Sequence, residues 1–467
     1  QAKTLFPYTT LFRSAYQCRK TACHLSLTPT VGAAGPRVCA WGAPHQHTGA
    51  AWPHLGTHVG PPAFVGGVCV GRAVNSSHTH SHDMRLLIGG ADLFEAMVEA
   101  IDAAQHEVRL ETYIFSFAGS GADVAQALMR AAQRGVQVCV VVDGVGTSEL
   151  PAQWAQQLAQ AGVQIRVFVP AVGIGFWLPS RWRRLHRKLC VVDNVVAFCG
   201  GINILDDYLD PHVHGLLKAP RLDYAVSLRG PLVSAVHATM AQLWSRIEAV
   251  RELRSQDLGG ALDALRGAKQ SLHLPARGEA QLVLRDNVRH RTHIERTYRK
   301  AIGAARHDII VANAYFFPGL RLRRALVMAA RRGVRVRLLL QGQYEYFLPY
   351  RAARQLYGQL MAAGVEIYEY HASYLHAKVA VVDGKWLTVG SSNLDPFSLL
   401  LAREANVVAH DPEMAQALQA GLLDAMAHGS TRVDPLAYLG RGWWQRAVDA
   451  LASAVLRFGV FLTGKRY

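Results

Sequence analysis

A duplicated α/β fold, two similar halves meeting at one site, is what the sequence predicts, and three observations carry the prediction. From Leu86 onward, apolar strand-like runs alternate with stretches of helical periodicity. The run His186-Arg-Lys188-Leu-Cys-Val-Val-Asp193, closing on Gly200-Gly201-Ile-Asn203, returns as His376-Ala-Lys378-Val-Ala-Val-Val-Asp383 with Gly390-Ser391-Ser392-Asn393, every matched position 190 residues further on. Flanking segments recur as well. Ala100-Ile-Asp-Ala-Ala-Gln-His-Glu-Val108 matches Ala301-Ile-Gly-Ala-Ala-Arg-His-Asp-Ile309 at an offset of 201, and Ala131-Ala-Gln-Arg-Gly-Val136 matches Ala329-Ala-Arg-Arg-Gly-Val334 at 198. Loops therefore differ while core units persist, and the site belongs on the pseudo-twofold between the halves.

Residues 1–83 do not read as a folded domain. They are rich in Gly, Pro and His, have almost no acidic residues and show neither helical nor strand period. Thr4-Leu-Phe-Pro-Tyr-Thr-Thr-Leu-Phe-Arg-Ser14 is the translation of a common sequencing-adapter oligonucleotide, so this segment is expected to be non-native or disordered, with Met84 as the true start. The alternation His78-x-His80-x-His82 is set aside as a metal site with it, and no basic stretch followed by a clean apolar core marks a secretory signal.

The first domain is expected over 84–250. Its predicted elements are a helix from Leu93 to Ala104, strand Val108–Phe115, helix Gly121–Arg134 ended by Gly135 as a C-cap, strand Val136–Val142, helix Pro151–Ala161 and strand Val163–Val169. A charged, Gly-containing connection at 251–278 leads to a second domain over 279–440, and a tail at 441–467 completes the chain.

The repeated run has a physical reading. H-x-K followed by four apolar residues looks like a buried strand, and period two sends His and Lys to one face while Arg187 or Ala377 points away. The next strand, Val195–Cys199 or Trp386–Val389, ends in small residues and an Asn, so backbone and amide donors can approach an anion. Two such faces together offer two His, two Lys and two Asn to one phosphate. Imidazoles that titrate near neutrality can divide nucleophilic and acid/base work, while Lys188, Lys378, Asn203 and Asn393 hold nonbridging oxygens. Ser391 and Ser392 are candidate hydroxyl donors, Gly201 standing at the Ser391 position of the first half. Asp193 and Asp383 end their strands, where turn hydrogen bonds would brace the motif. Asp223 and Glu404, on downstream strands, read equally as surface charges or as acids that orient the histidines. No carboxylate cluster suggests a metal, and no cofactor is expected, the lysines supplying the charge a metal would.

These residues resemble the double H-x-K-x4-D signature of the phospholipase D superfamily. Gly390-Ser-Ser-Asn-Leu-Asp-Pro-Phe-Ser398 followed by Arg403-Glu404-Ala-Asn406 is similar to bacterial cardiolipin synthases, the B type in particular, with similarity from about Leu86 to the C-terminus. The resemblance implies two phospholipase D-like α-β-α sandwich domains sharing one active site. It implies His186, Lys188, Asp193, His376, Lys378 and Asp383 as the catalytic set, His186 as nucleophile and His376 as acid/base, with Asp223 and Glu404 orienting the imidazoles. The implied reaction is phosphatidyl transfer from phosphatidylglycerol or another phospholipid through a phosphatidyl-histidine, on the cytoplasmic face of a bacterial inner membrane. Hydrolysis with water as acceptor, by a phospholipase D or related nuclease, is the alternative chemistry, and a non-catalytic membrane-binding protein is the third reading.

Charge narrows the partners. A formal net charge of +16 favours polyanions, meaning an anionic lipid surface or nucleic acid. The stretch Phe176-Trp177-Leu-Pro-Ser-Arg181-Trp182-Arg183-Arg184 mixes aromatics with arginines as interfacial segments do, although a nucleic-acid-stacking surface has the same composition. From Trp443-Trp444 to Phe461-Leu462 apolar residues fall at 444, 447, 448, 451, 454, 455, 458, 461 and 462, interrupted by Asp449 and Arg457. That pattern predicts a helix lying in a membrane interface, with packing on the core as the competing reading. Lipid leads, and nucleic acid is not expected. Of seven cysteines, Cys139, Cys190 and Cys199 sit inside apolar runs and read as small buried hydrophobes, not as a disulfide framework.

Overall fold

The computed structural model describes residues 83–169, 183–210, 215–255, 279–286, 290–343, 347–396, 398 and 401–462. The Gly/Pro/His-rich segment before Asp83, the aromatic and arginine stretch from Phe176 to Trp182 and most of the expected connection lie outside the described residues.

The first half runs β1 (Asp83–Ile88), α1 (Gly89–Asp102), β2 (Glu107–Thr112), α2 (Ser120–Gln133), β3 (Gln137–Asp143), α3 (Ala152–Gln160), β4 (Gln164–Phe168), β5 (Arg184–Leu185), β6 (Leu189–Val192), β7 (Val196–Gly200), β8 (Leu209–Asp210), β9 (Gly215–Leu216), β10 (Tyr224–Arg229) and α4 (Leu232–Arg254). The second half runs β11 (Ala280–Arg285), α5 (His293–Ala304), β12 (Asp308–Asn313), α6 (Leu320–Arg331), β13 (Arg335–Gln341), α7 (Phe347–Met361), β14 (Glu366–Tyr370), β15 (Lys378–Val382), β16 (Trp386–Gly390), β17 (Ala402–His410), α8 (Pro412–His428), β18 (Ser430–Arg432), α9 (Pro435–Leu439) and α10 (Trp443–Leu462).

Each half is a mixed sheet with helices packed on it. Among the described residues the first sheet has the order β1-β10-β7-β6-β2-β3-β4, and β11-β17-β16-β15-β12-β13-β14 repeats it before β18 adds an edge. The βα crossovers make β2, β3 and β4 parallel, as they do β12, β13 and β14. The motif strand β6 instead lies antiparallel to both β2 and β7. Its turn explains why the motif ends in Asp. Val195 N–H closes on Val192 O, with Asp193 and Asn194 at φ of 51° and 53°. Asp383 and Gly384 repeat this at 52° and 59°. Positive φ at both central residues defines a type I′ turn, which favours Asp, Asn and Gly.

The motif strands are buried on both faces. Leu189 and Val191 face a core shared with Val379, Val381, Leu387 and Ala405 of the other half, whereas Cys190 and Val192 pack with Leu93, Met97 and Leu128 of the first half's own helices. Full burial of each Leu or Val is worth about 2 kcal/mol, so this strand is among the least movable parts of the molecule. Helix α4 packs on β6, β7 and β10 and reaches β11, while α8 packs on β15 and β16 and reaches β1. The two halves are thereby joined through one continuous core. Cys139, Cys190 and Cys199 are buried free thiols, and burial pushes Cys139 up to about 11.

The terminal helix packs on the protein by one face and exposes the other. Asp449 does not interrupt an interfacial face: it lies on the packed face, fully buried, and pairs with Arg351 of α7 at 3.2 Å and Arg441 at 2.8 Å. Ala452, Ser453, Leu456 and Val460 are buried on that side. The opposite face exposes Trp444 (65%), Leu451 (66%), Phe458 (60%) and Phe461 (74%).

Candidate active site

His186 and Lys188 precede β6, and the segment that holds them is stitched to the other half. Arg184 and Leu185 pair in parallel with Ala402 and Arg403 of β17. His186 N–H then donates to Arg403 O at 3.0 Å, one residue before Glu404. The second half repeats the arrangement: Leu222 pairs with Leu375, and His376 N–H donates to Leu222 O at 2.9 Å, one residue before Asp223. Each backbone bond sets an imidazole beside the carboxylate of the opposite half.

The side chains follow. His186 Nδ1–H donates to Glu404 at 3.0 Å, and His376 Nδ1–H donates to Asp223 at 2.6 Å. Both acids are buried, Glu404 completely. With Nδ1 committed as donor, Nε2 of each ring carries the lone pair or the mobile proton. Lys188 Nζ donates to His186 O at 2.8 Å, and Lys378 Nζ donates to His376 O while lying 3.8 Å from Asp223 Oδ2.

Electrostatics show that these groups share one site. Burial lowers His186, Glu404 opposes that, and the ammonium groups of Lys188 and Lys378 reinforce it. Burial brings Lys188 down to about 7, with Glu404 raising it and Lys378 lowering it further. Asp223 is pushed up to about 6 by burial, against the pull of Lys378. Two ammonium groups face two carboxylates, so a phosphodiester anion enters at balanced charge when one imidazole is protonated.

Asn203 and Asn393 follow β7 and β16, the neighbours of the motif strands. Asn203 Oδ1 accepts Ile114 N–H at 3.2 Å, which turns its N–H2 group to other partners; Asn393 is buried and its Oδ1 has no partner. Ser391 requires a correction. It does not present its hydroxyl to an anion, because that hydroxyl donates to Glu404 Oε2 at 2.5 Å and accepts Ala405 N–H at 3.1 Å. Ser392 donates to Asn393 O at 3.4 Å. In the first half Gly201 replaces Ser391 because a Cβ there would sit 2.3 Å from Asp223 Oδ1.

Asp193 and Asp383 make the bracing hydrogen bonds expected where the motif strands end. They do not reach the reacting centre: Asp193 accepts the N–H groups of Gln105, His106 and Glu107, and Asp383 those of Arg306, His307 and Asp308. These bonds hold both carboxylates below the usual range against partial burial. Their work is to fix the turn that ends each motif strand.

Period reading missed three contacts. The Tyr113 ring stands edge-on to His186 at 5.1 Å, with Lys188 Nζ 5.5 Å from its centroid. Arg187, buried behind the motif, pairs with Glu111 at 3.0 Å. Arg285 lies opposite Glu404 in the β11–β17 register, is 1% exposed and donates to Ala402 O, placing a buried cation behind the acid. An Arg at the end of an otherwise alternating strand was the available signal.

Comparison with known proteins agrees with this geometry. A family model described as cardiolipin synthase, PLD-like domain, matches twice, over residues 97–213 and 298–424. Cardiolipin synthase B of Escherichia coli is 37% identical over 83% of this chain and 91% of its own length. A cardiolipin synthase of Geobacillus thermodenitrificans is 30% identical over 79% of this chain and 70% of its own. Among solved structures, a phosphatidylserine synthase of Haemophilus influenzae superposes with a TM-score of 0.57 over 80% of this chain and 93% of that one, and at 13% identity the likeness is one of fold. With both halves matched and each imidazole locked to the other half's carboxylate, the chain belongs to the cardiolipin synthase family of phospholipase D-like proteins.

Proposed function

We propose that this protein is a phosphatidyltransferase that makes cardiolipin, moving a phosphatidyl group from phosphatidylglycerol or a similar phospholipid onto the headgroup alcohol of another. The observation that carries the reading is the pair of imidazoles held at Nδ1 by buried acids from opposite halves, with Lys188 and Lys378 beside them. His186 Nε2 attacks phosphorus as the bond to the departing headgroup oxygen breaks, and His376 delivers its proton to that oxygen. A second alcohol then gives its proton to His376 and attacks phosphorus, releasing His186. Glu404 and Asp223 keep each Nδ1 proton in place, and the lysines and Asn203 and Asn393 stabilise charge on the nonbridging oxygens.

A membrane surface is the setting that the outer face of α10 supports. Tryptophan, leucine and phenylalanine stand exposed there on a helix clamped to the protein by its other side. Among the described residues no helix is long and apolar enough to cross a membrane. We place the enzyme at the cytoplasmic face of a bacterial inner membrane, bound peripherally. Labelled phosphatidylglycerol in mixed micelles tests the activity. Cardiolipin and glycerol are expected as products and are lost in His186→Ala and His376→Ala; phosphatidic acid alone would make the protein a hydrolase.

A further inference from the structure

The pseudo-twofold is broken beside one histidine. Strand register makes the two halves comparable residue by residue: Glu111 lies opposite Leu189 as Ala312 lies opposite Val379, so Tyr113 of the first half corresponds to Ala314 of the second. Asp143 and Gln341 correspond in the same way. Asp143 accepts Leu185 N–H at 2.7 Å and Gln341 accepts Leu375 N–H at 2.8 Å, each one residue before a motif histidine.

In the first half this corner is filled. The Tyr113 ring lies against His186, Gly146 packs on the Tyr113 carbonyl, and Asp143 also accepts Val145 N–H at 2.9 Å and Gly146 N–H at 3.3 Å. In the second half it is open. Ala314 has no ring to fill it, and a small cleft of about 20 Å3, room for one water-sized group such as a hydroxyl, is lined by Ala314, Tyr315, Phe316, Gln341, Tyr350 and Tyr357 among the described residues. Two of its lining residues are bonded to the segment that carries His376: Ala314 N–H donates to Ala377 O at 3.0 Å, and Gln341 accepts Leu375 N–H. Gln341 spends its oxygen on Leu375 and leaves Nε2 buried with no partner. A buried amide donor without an acceptor costs about 1–3 kcal/mol, and the cleft beside it offers room for the missing oxygen.

We infer that this cleft is the alcohol subsite, where the hydroxyl-bearing end of a polyol headgroup accepts a hydrogen bond from Gln341 Nε2 beside His376. The inference rests on the transferase reading above. The ligand is neutral and oxygen-rich, because the cleft offers an amide and aromatic walls and no buried cation among its described lining residues. Since the departing and the entering alcohol pass the same acid/base, one subsite serves both.

The test is the partition of a common phosphatidyl-enzyme. Phosphatidylglycerol is turned over by the full chain in mixed micelles with perdeuterated glycerol and perdeuterated 1-butanol at equal concentration, and the ratio of deuterated phosphatidylglycerol to deuterated phosphatidylbutanol is read by mass spectrometry. Gln341→Glu keeps the acceptor for Leu375 N–H and loses the donor, and it lowers the ratio about tenfold, the equivalent of ~1.4 kcal/mol. Ala314→Tyr rebuilds the first half's filling and shifts product from both alcohols toward phosphatidic acid. A merely damaged fold lowers total product and leaves the ratio of the Gln341→Glu protein unmoved, which would overturn the assignment. Phosphatidic acid alone from the unsubstituted protein would overturn the alcohol subsite while leaving histidine chemistry intact; no lipid turnover at all would remove the transferase reading first and the subsite with it.

Discussion

Glu404→Gln isolates the contribution of one half to the other half's histidine. The native carboxylate has two oxygens and two donors to satisfy, His186 Nδ1–H at 3.0 Å and Ser391 Oγ–H at 2.5 Å. Glutamine has one acceptor oxygen, so one donor loses its partner, and the amide N–H2 is brought close to the buried guanidinium of Arg285. A charge-assisted bond of this kind is worth about 1.5–3 kcal/mol, which predicts a fall in kcat of roughly 10- to 100-fold. The pH dependence has a definite sign. Burial already lowers His186, and Glu404 is the largest influence opposing it. Removing that charge lowers the imidazole further, so the acid limb of the rate, where His186 becomes protonated and cannot attack, moves to lower pH. The assay is conversion of labelled phosphatidylglycerol across pH 5 to 9. Activity within threefold of the parent, or an acid limb that moves upward, would refute the cross-half orientation of His186.

Three further outcomes are expected. Gly201→Ala places a Cβ 2.3 Å from Asp223 Oδ1, so the acid is displaced from His376 and turnover falls at least about 30-fold by kinetics while circular dichroism stays native. Asp193→Ala removes the acceptor of three backbone N–H groups and lowers stability by about 2–3 kcal/mol in urea titration, yet the protein that remains folded keeps its kcat. Phe458→Glu with Phe461→Glu leaves the packed face of α10 untouched and reduces co-sedimentation with anionic vesicles, while turnover of lipid in detergent micelles persists.

Much of the fold was legible because periodicity reports burial. The apolar runs of β6 and β15 are buried on both faces, and the matched offsets survive as matched strand orders. Partner identity was not legible. Period two says that His186 and Lys188 share a face, but nothing in local pattern says that Glu404, and not Asp223, comes to His186. That choice is made by the backbone bond to Arg403 O across the interface. The destination of the Ser391 hydroxyl was hidden for the same reason, being set by a strand neighbour 13 positions away. Asp449 was read as an interruption of the apolar stripe, whereas two arginines let it lie buried on the packed face. The Tyr113 and Ala314 difference was within reach, since extending the flanking match by five residues exposes it.

The exchange of carboxylates between halves has a consequence for how such a chain could arise. A single half would own a histidine with no acid to hold it and an acid with no histidine to hold. Two identical copies brought together about a twofold would repair both defects at once, so a symmetric pair of separate chains is the simplest ancestor this arrangement permits. Joining the copies in one polypeptide removed the requirement that they remain identical. Ala314 where the first half has Tyr113, and Ser391 where it has Gly201, are what that release made possible: two corners of one ancestral site, each now free to specialise.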